Sequence, residues 1–203
     1  ALLKDIPEPA KKRLVLLKRL LAGYGQDLIS SARIEEMTGW SAALVRRDVS
    51  LLEVRCGARG GYKVRELNEA LNAALNLESV EIRCCIVGLG RLGQILLDSS
   101  EIEESPFKLV AGFDSNVNRT EVLRSTFPLH PTTMLEDVVK KEGIRYALLA
   151  VPVNEAQDLA ERLCSSGLRG IVNYTPCMLS VPAEVAVENV SLLTALENLN
   201  ARD

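Results

Sequence analysis

Apolar residues recur along this chain in two rhythms, one helical and one that alternates strand with helix. In the N-terminal third, Leu14, Leu17, Leu21 and Tyr24 fall at helical spacing behind Pro7 and Pro9, which are tolerated at a helix start. They predict an amphipathic helix of about 14 residues that Gly23 and Gly25 end. Ser30 and Ser31 offer an N-cap for a short helix with Ile34 and Met37 on its apolar side. Gly39 breaks it, and Ser41 caps another helix running to about Leu52. In that second helix Val45, Val49 and Leu52 form the inward stripe, whereas Ala43, Arg46, Arg47 and Ser50 share another side. Two short helices joined at a glycine predict a helix-turn-helix.

The next stretch, Gly57 to Val64, is a glycine-rich turn leading into a short strand, with Arg55, Arg59, Lys63 and Arg65 around it. A basic hairpin after such a helix reads as a wing, with Arg59 at its tip placed to enter a minor groove. Leu67, Leu71 and Leu75 predict one further helix.

From Val80 onward the rhythm changes. Cys84 to Val87 is an apolar strand that ends in Gly88-Leu89-Gly90-Arg91-Leu92-Gly93, after which Ile95, Leu96 and Leu97 read as the buried side of a helix. A second strand, Leu109 to Phe113, closes on Asp114, which lies 21 residues past Gly93. Strand, glycine turn, helix, strand and acid at this spacing predict a dinucleotide-binding βαβ unit. Gly88 would allow the tight turn, Gly90 close approach of a pyrophosphate and Gly93 packing of helix on strand. The N–H groups of the helix start would face the anion. Asp114 would accept from the adenosine ribose hydroxyls and repel an extra 2′-phosphate, which favours NAD(H) over NADP(H).

The alternation continues. Thr132 or Thr133 caps a helix to about Lys141; Tyr146 to Val151 is a buried strand ended by Pro152; Glu155 to Ser166 is a helix with Leu159 and Leu163 inward; Gly170 to Asn173 is another strand. This is an α/β pattern with a doubly wound parallel sheet. Ligands on such sheets sit at the carboxyl ends of the strands, so Val151, Pro152, Asn173, Thr175 and Pro176 should join Gly88–Gly93 around one crevice. Asn189 to Asp203 reads as a short helix whose Leu192, Leu193, Leu196 and Leu199 need a cover, from its own domain or another chain.

Charge sharpens this division. Residues 1–76 carry 13 Lys and Arg against 9 Asp and Glu, a balance of +4, while residues 77–203 carry 11 against 18, a balance of −7. Positive charge confined to the N-terminal third suits nucleic acid there. The composition, 47% apolar and 25% charged, is that of a globular protein. No apolar run approaches the roughly 18 residues of a membrane span, and there is no signal peptide pattern, so a cytoplasmic protein without a membrane partner is expected. Five cysteines with no CxxC pair argue against a disulfide framework or a metal site.

With these parts in this order, the chain resembles the Rex family of redox-sensing transcriptional repressors. The stretches that carry the likeness are Val45–Ser50, Gly57–Tyr62, Val87–Gly93, Ala150–Pro152, Gly170–Pro176 and Val187–Val190. The resemblance implies a homodimer with an N-terminal winged helix and a C-terminal NADH/NAD+-binding domain, binding a palindromic double-stranded operator. It further implies that NADH, bound between the domains, releases DNA, and that the terminal helix crosses to the partner subunit. The expected division is a winged helix over 1–78, a Rossmann domain over 79–188 and a C-terminal helix over 189–203. The candidate DNA contacts are Ser41, Arg46, Arg47, Ser50, Arg55, Arg59 and Lys63. The chain departs from the family where Ser99 replaces a tyrosine and Ser191 an aspartate, two positions the family links to cofactor sensing together with an arginine that falls on Arg19. Leu51-Leu52 stands where the family ends its recognition helix in two aromatics.

Two other classes carry the same fingerprint. A small NAD-dependent dehydrogenase would need a general acid, and the only histidine, His130, falls between Leu129 and Pro131 in an expected loop. A winged-helix repressor could also sense another nucleotide such as coenzyme A, against which Asp114 speaks. No catalytic residue, no metal ligand and no protein partner beyond a second copy is expected.

Overall fold

In a computed structural model, which describes residues 6–53, 57–75, 77 and 81–201, the chain divides into two units, Ala1–Val80 and Glu81–Asp203. In the first, helix α1 spans Glu8–Ala22, α2 Ser31–Thr38, α3 Ala42–Ser50 and α4 Val64–Ala74. Strands β1 (Leu28–Ile29), β2 (Gly57–Ala58) and β3 (Gly61–Lys63) form an antiparallel sheet in the order β1-β3-β2. This is a winged helix.

Its core follows the helical stripes. Leu14, Leu17 and Leu21 of α1, Ile34 of α2, Val45 and Val49 of α3 and Leu67 and Leu71 of α4 are all buried and pack together with Ile29 and Leu52. The Ser30 side chain accepts from the Arg33 N–H at 3.0 Å and caps α2, Gly39 closes α2 in the left-handed region at φ 75°, and Ser41 accepts from the Leu44 N–H at 3.3 Å to cap α3. Several details differ from the sequence reading. Met37 is exposed, because α2 has only two turns and Ile34 alone reaches the core. The third helix stops at Ser50 and Leu52 is buried beyond it, while Tyr24 packs on the core from outside α1. Strand β1 was not foreseen. Arg55 and Val80 lie outside the described residues.

The second unit is a six-stranded parallel sheet in the order β6-β5-β4-β7-β8-β9. Its strands are β4 (Ile82–Val87), β5 (Phe107–Asp114), β6 (Leu129–Pro131), β7 (Tyr146–Leu149), β8 (Gly170–Asn173) and β9 (Ala186–Asn189). The chain starts in the third place, winds outward through β5 and β6, then returns past β4 to wind the other way. That is the 3-2-1-4-5-6 order of a dinucleotide-binding sheet, with its switch point between β4 and β7. Helices α5 (Arg91–Leu97), α6 (Ser100–Glu103), α7 (Val117–Val122), α8 (Leu135–Glu142) and α9 (Val153–Ser165) connect the strands, and α10 (Leu192–Asn200) follows β9.

Cys85, Val87, Ala111, Phe113, Ala147, Leu149 and Ile171 from the sheet meet Leu135, Val138, Val139, Leu159 and Leu163 from α8 and α9 in one core. Arg162 of α9 ties it at the side: its guanidinium reaches both carboxylate oxygens of Glu136 and donates to the Thr132 carbonyl at 2.7 Å. The hydrogen bonds from Arg162 hold the Glu136 carboxyl down at about 2. Burial pushes the Cys84 thiol up to about 12, and Cys85 is raised as well, so this pair in β4 stays protonated core.

Here too the structure corrects particular readings. Ile95 is exposed, because α5 has only seven residues and turns Gly93 to the sheet. His130 lies in edge strand β6, half-buried with its ring 5.8 Å from that of Phe113. Thr132 and Thr133 form a single 3-10 turn and cap nothing; α8 begins after Met134. Strand β7 ends at Leu149, and Asn189 closes β9 instead of opening the last helix. Among the described residues no helix is long and apolar enough to cross a membrane.

Candidate functional site

The carboxyl ends of four adjacent strands are stitched together by main-chain hydrogen bonds. The Gly88 N–H donates to Phe113 O at 2.8 Å, Ala150 N–H to Val87 O at 2.8 Å and Tyr174 N–H to Leu149 O at 2.9 Å. Gly88, Val151, Pro152, Thr175 and Pro176 thus share one edge of the sheet, as the sequence predicts.

Within the turn the three glycines differ. Gly88 has φ 97°, and a Cβ there would stand 2.3 Å from the Ala150 carbonyl oxygen and 2.8 Å from Val151 Cγ1. A Cβ on Gly93 would lie 1.9 Å from the Gly88 carbonyl oxygen, so α5 rests directly on the turn. A Cβ on Gly90 would meet nothing within 4 Å. No side-chain hydrogen bond caps α5, whose first-turn N–H groups are available to an anion at Gly90. The residues therefore fit a bound pyrophosphate.

Asp114 has a role that sequence reading did not assign. Its side chain is 3% exposed and accepts from the Leu89 N–H at 2.7 Å and from the Asn116 N–H at 2.7 Å, so it braces the glycine turn from the neighbouring strand. Arg119 of α7 donates to both oxygens of the same carboxylate, at 3.3 and 3.5 Å, and offsets its charge. A carboxylate has about four lone-pair sites, all engaged here, so a ribose hydroxyl would take the place of Arg119.

Asn173 is buried and its amide is committed to the protein. Its Nδ2 donates to Cys177 O at 2.9 Å and to Asn189 Oδ1 at 2.8 Å, while its Oδ1 accepts from the N–H and hydroxyl of Thr175 at 3.0 and 2.7 Å. Asn173 and Thr175, both buried, shape the loop after β8. Pro176 and Pro152 are exposed.

In the winged helix, Ala43, Arg46, Arg47 and Ser50 all lie exposed along α3. Arg46 donates to Ser31 Oγ at 3.0 Å, and the Ser50 hydroxyl donates to Arg47 O at 2.6 Å. Helix α3 is tied to α1 by an ion pair that no local sequence pattern announces, between Arg13 and Asp48. The Arg13 guanidinium makes a two-pronged bond to buried Asp48, with Nε donating to Oδ2 at 2.5 Å and Nη2 to Oδ1 at 3.0 Å. The Asp48 side chain is only 6% exposed. Two residues 35 apart in the chain give no local signal; a lone acid on the inward stripe of α3 is the only hint. Arg59 sits exposed in the turn between β2 and β3, and Lys63 pairs with Glu66 at 2.6 Å.

The three positions linked to the switch are scattered among helix ends. Arg19 lies in the last turn of α1, Ser99 is half-buried at the N-cap of α6, and Ser191 caps α10 by accepting from the Thr194 N–H at 3.2 Å.

A winged helix followed by a dinucleotide-type Rossmann sheet defines a ligand-responsive transcription factor in outline, and comparison with known proteins makes the assignment specific. Residues 5–50 match the family model of a putative DNA-binding protein N-terminus, and residues 80–177 that of a CoA binding domain. The redox-sensing transcriptional repressor Rex of Ligilactobacillus salivarius is 32% identical over 96% of this chain and 92% of its own length. That of Leuconostoc citreum is 33% identical over 96% and 91%. Among solved structures, RSP, a Rex-family repressor, is 30% identical with a TM-score of 0.86 over 98% of this chain and 94% of its own. RSP in complex with NAD+ and operator DNA gives 29% and 0.89 over 97% and 92%. The chain belongs to the Rex family of redox-sensing transcriptional repressors.

Proposed function

We propose that this chain binds NADH and NAD+ at the Gly88–Gly93 turn and a palindromic operator through its winged helix, and that NADH releases the DNA. The observation that carries this reading is the uncapped start of α5 at Gly90, where a Cβ would meet nothing within 4 Å, in a turn braced by Asp114. The structures of RSP with NADH and with NAD+ plus operator DNA support it. Residues 1–78 read DNA, 79–188 hold the dinucleotide, and 189–203 lie at the interface of a homodimer. Two-fold symmetry follows from paired helix-turn-helix units that read half-sites one or more helical turns apart. On this reading the protein works in the cytoplasm and has no enzymatic turnover.

The switch is weak. A ligand shifts a two-state equilibrium only by its differential affinity for the states, and Ser99 and Ser191 have lost a phenol and a carboxylate that the family uses there. The test is operator binding followed by fluorescence anisotropy during an NADH titration against fixed NAD+. Operator affinity should fall by between about twofold and tenfold, at or below the lower end of the roughly 1–3 kcal/mol common for such coupling. No fall would overturn NADH responsiveness. A loss beyond about tenfold, or 1.4 kcal/mol, would show that another relay replaces these serines. The double change Ser99→Tyr with Ser191→Asp should strengthen the response, and aspartate keeps the α10 cap.

A further inference from the structure

The opposite edge of the parallel sheet carries a feature that the dinucleotide site does not use. Arg83, second in β4, and Arg145 and Arg169, each just ahead of β7 and β8, stand side by side: the Arg145 N–H donates to Arg83 O at 2.9 Å and the Arg169 N–H to Arg145 O at 2.8 Å. By strand alternation all three point to the face that α8 and α9 cover, the face of Cys85, Ala147 and Ile171. Like charges directly opposite one another in a sheet are destabilising. At β4 the cost is offset, because Glu142 meets Arg83 at 2.9 Å and Glu81 stands at 3.6 Å. Among the described residues no acid does the same for Arg145 or Arg169, and the Arg145 Nε is buried without a hydrogen-bond acceptor.

These two arginines and Lys140 line an open depression of about 530 Å³ between the ends of α8 and α9. No carboxylate is among its lining residues. The helix ends do not consume the cations. Gly143 and Gly167, at φ 62° and 91°, close both helices so that following N–H groups cover the last carbonyls: Ile144 N–H reaches Val139 O at 3.0 Å and Gly167 N–H reaches Cys164 O at 3.0 Å. The negative end of a helix explains Lys140 in the last turn of α8, but Arg145 and Arg169 belong to the sheet. A buried donor with no acceptor calls for an unseen partner.

We propose that this depression is a second ligand site, one that takes the phosphate dianion of a small phosphorylated metabolite. Three cations and no acid match a dianion, and an arginine fork is suited to two phosphate oxygens. The volume lies in the range of small-molecule pockets, which leaves room for a short organic body beside the phosphate. Arg145 is separated from the Ala150 end of its strand by five residues, about 17 Å, so the two sites are distinct.

The test is isothermal titration of the 203-residue chain with glycerol phosphate and, separately, with inorganic phosphate, repeated on Arg145→Gln and Arg169→Gln. Saturable one-to-one binding, weakened more than tenfold in each variant, is expected. Thermal unfolding supplies a readout that a merely structural arginine would not give. Without phosphate, Arg145→Gln should melt no lower than the parent, since it relieves repulsion, and it should lose the rise in melting temperature that phosphate gives the parent. Binding that is unchanged in both variants, that never saturates, or that accompanies a lower melting temperature of the phosphate-free Arg145→Gln protein would overturn the proposal. Preference for inorganic phosphate over the ester would also overturn it, by removing the metabolite from the site. None of these readouts involves NADH or DNA.

Discussion

Two glycine turns serve the two units in the same way, with different outcomes. In the wing, a Cβ on Gly61 would stand 2.4 Å from the Ile29 carbonyl oxygen, so β3 can pair with β1 only if that residue is glycine, whereas its neighbour Gly60 faces open space. In the nucleotide turn Gly88 and Gly93 meet backbone in the same manner, and Gly90 faces open space. Each turn thus spends some glycines on bringing backbone together and leaves one beside a vacant surface. The wing projects a cation, Arg59, into its surroundings; the Rossmann turn leaves the start of α5 without a side-chain cap. On the function proposed above, the one would enter a groove of DNA and the other receive a pyrophosphate, and the same residue type builds for both.

Substitutions at the glycines break this comparison most sharply. Gly93→Ala should destabilise the second unit by about 3 kcal/mol or more, since neither helix nor turn can yield a methyl's width. Gly90→Ala should cost at most about 1 kcal/mol of stability, yet abolish NADH binding. Chemical denaturation of both variants beside an NADH titration separates the two; equal destabilisation would end the distinction between structural and ligand-facing glycines. Gly61→Ala comes next. It should disrupt the wing and remove most operator affinity while NADH binding stays within twofold, measured by anisotropy and calorimetry.

Side chains act on a smaller scale. Arg46→Ala or Arg47→Ala should cost on the order of 1–3 kcal/mol of operator affinity if the arginine reads a base, and Arg59→Ala should weaken binding chiefly at A·T-rich flanks. Unchanged binding by all three would remove the wing-and-helix assignment. The smallest effect sharpens the nucleotide side of the comparison. Because Arg119 sits against Asp114, Asp114→Ala should narrow the preference for NADH over NADPH, while Arg119→Ala should widen it by less than about tenfold. An opposite ordering would show that Asp114 only braces the turn.

What sequence could reveal depended on length and locality. The βαβ unit was legible because strand, turn, helix and acid lie within one continuous stretch, and the helix-turn-helix because Ser30, Gly39 and Ser41 mark its ends. The strands that periodicity does not reveal are short or exposed: Leu28–Ile29 has two residues, Leu129–Pro131 three, and Ala186–Asn189 is largely exposed at the sheet edge. Ile95 and Met37 were misplaced because two turns of helix define no face by periodicity alone. Within the site, the glycines were legible, but the Asp114 brace on Leu89 and the Arg13–Asp48 pair arise from contacts distant in sequence.

The knot of hydrogen bonds at Asn173 sets the reach of the last helix. Asn189 is held by the Asn173 amide and Val190 by its carbonyl at 2.9 Å, so the chain is moored until one residue before the Ser191 cap. From that mooring to the first turn of α10 there are about two residues, at most roughly 7 Å of slack. The helix itself is nine residues, about 14 Å long, and Leu192, Leu193, Leu196 and Leu199 stay 60–85% exposed along it. A rod on so short a leash can pivot but cannot travel. On the homodimer reading proposed above, the surface that shelters those leucines would come to the sheet edge beside β9, and that edge would be where the second copy is met.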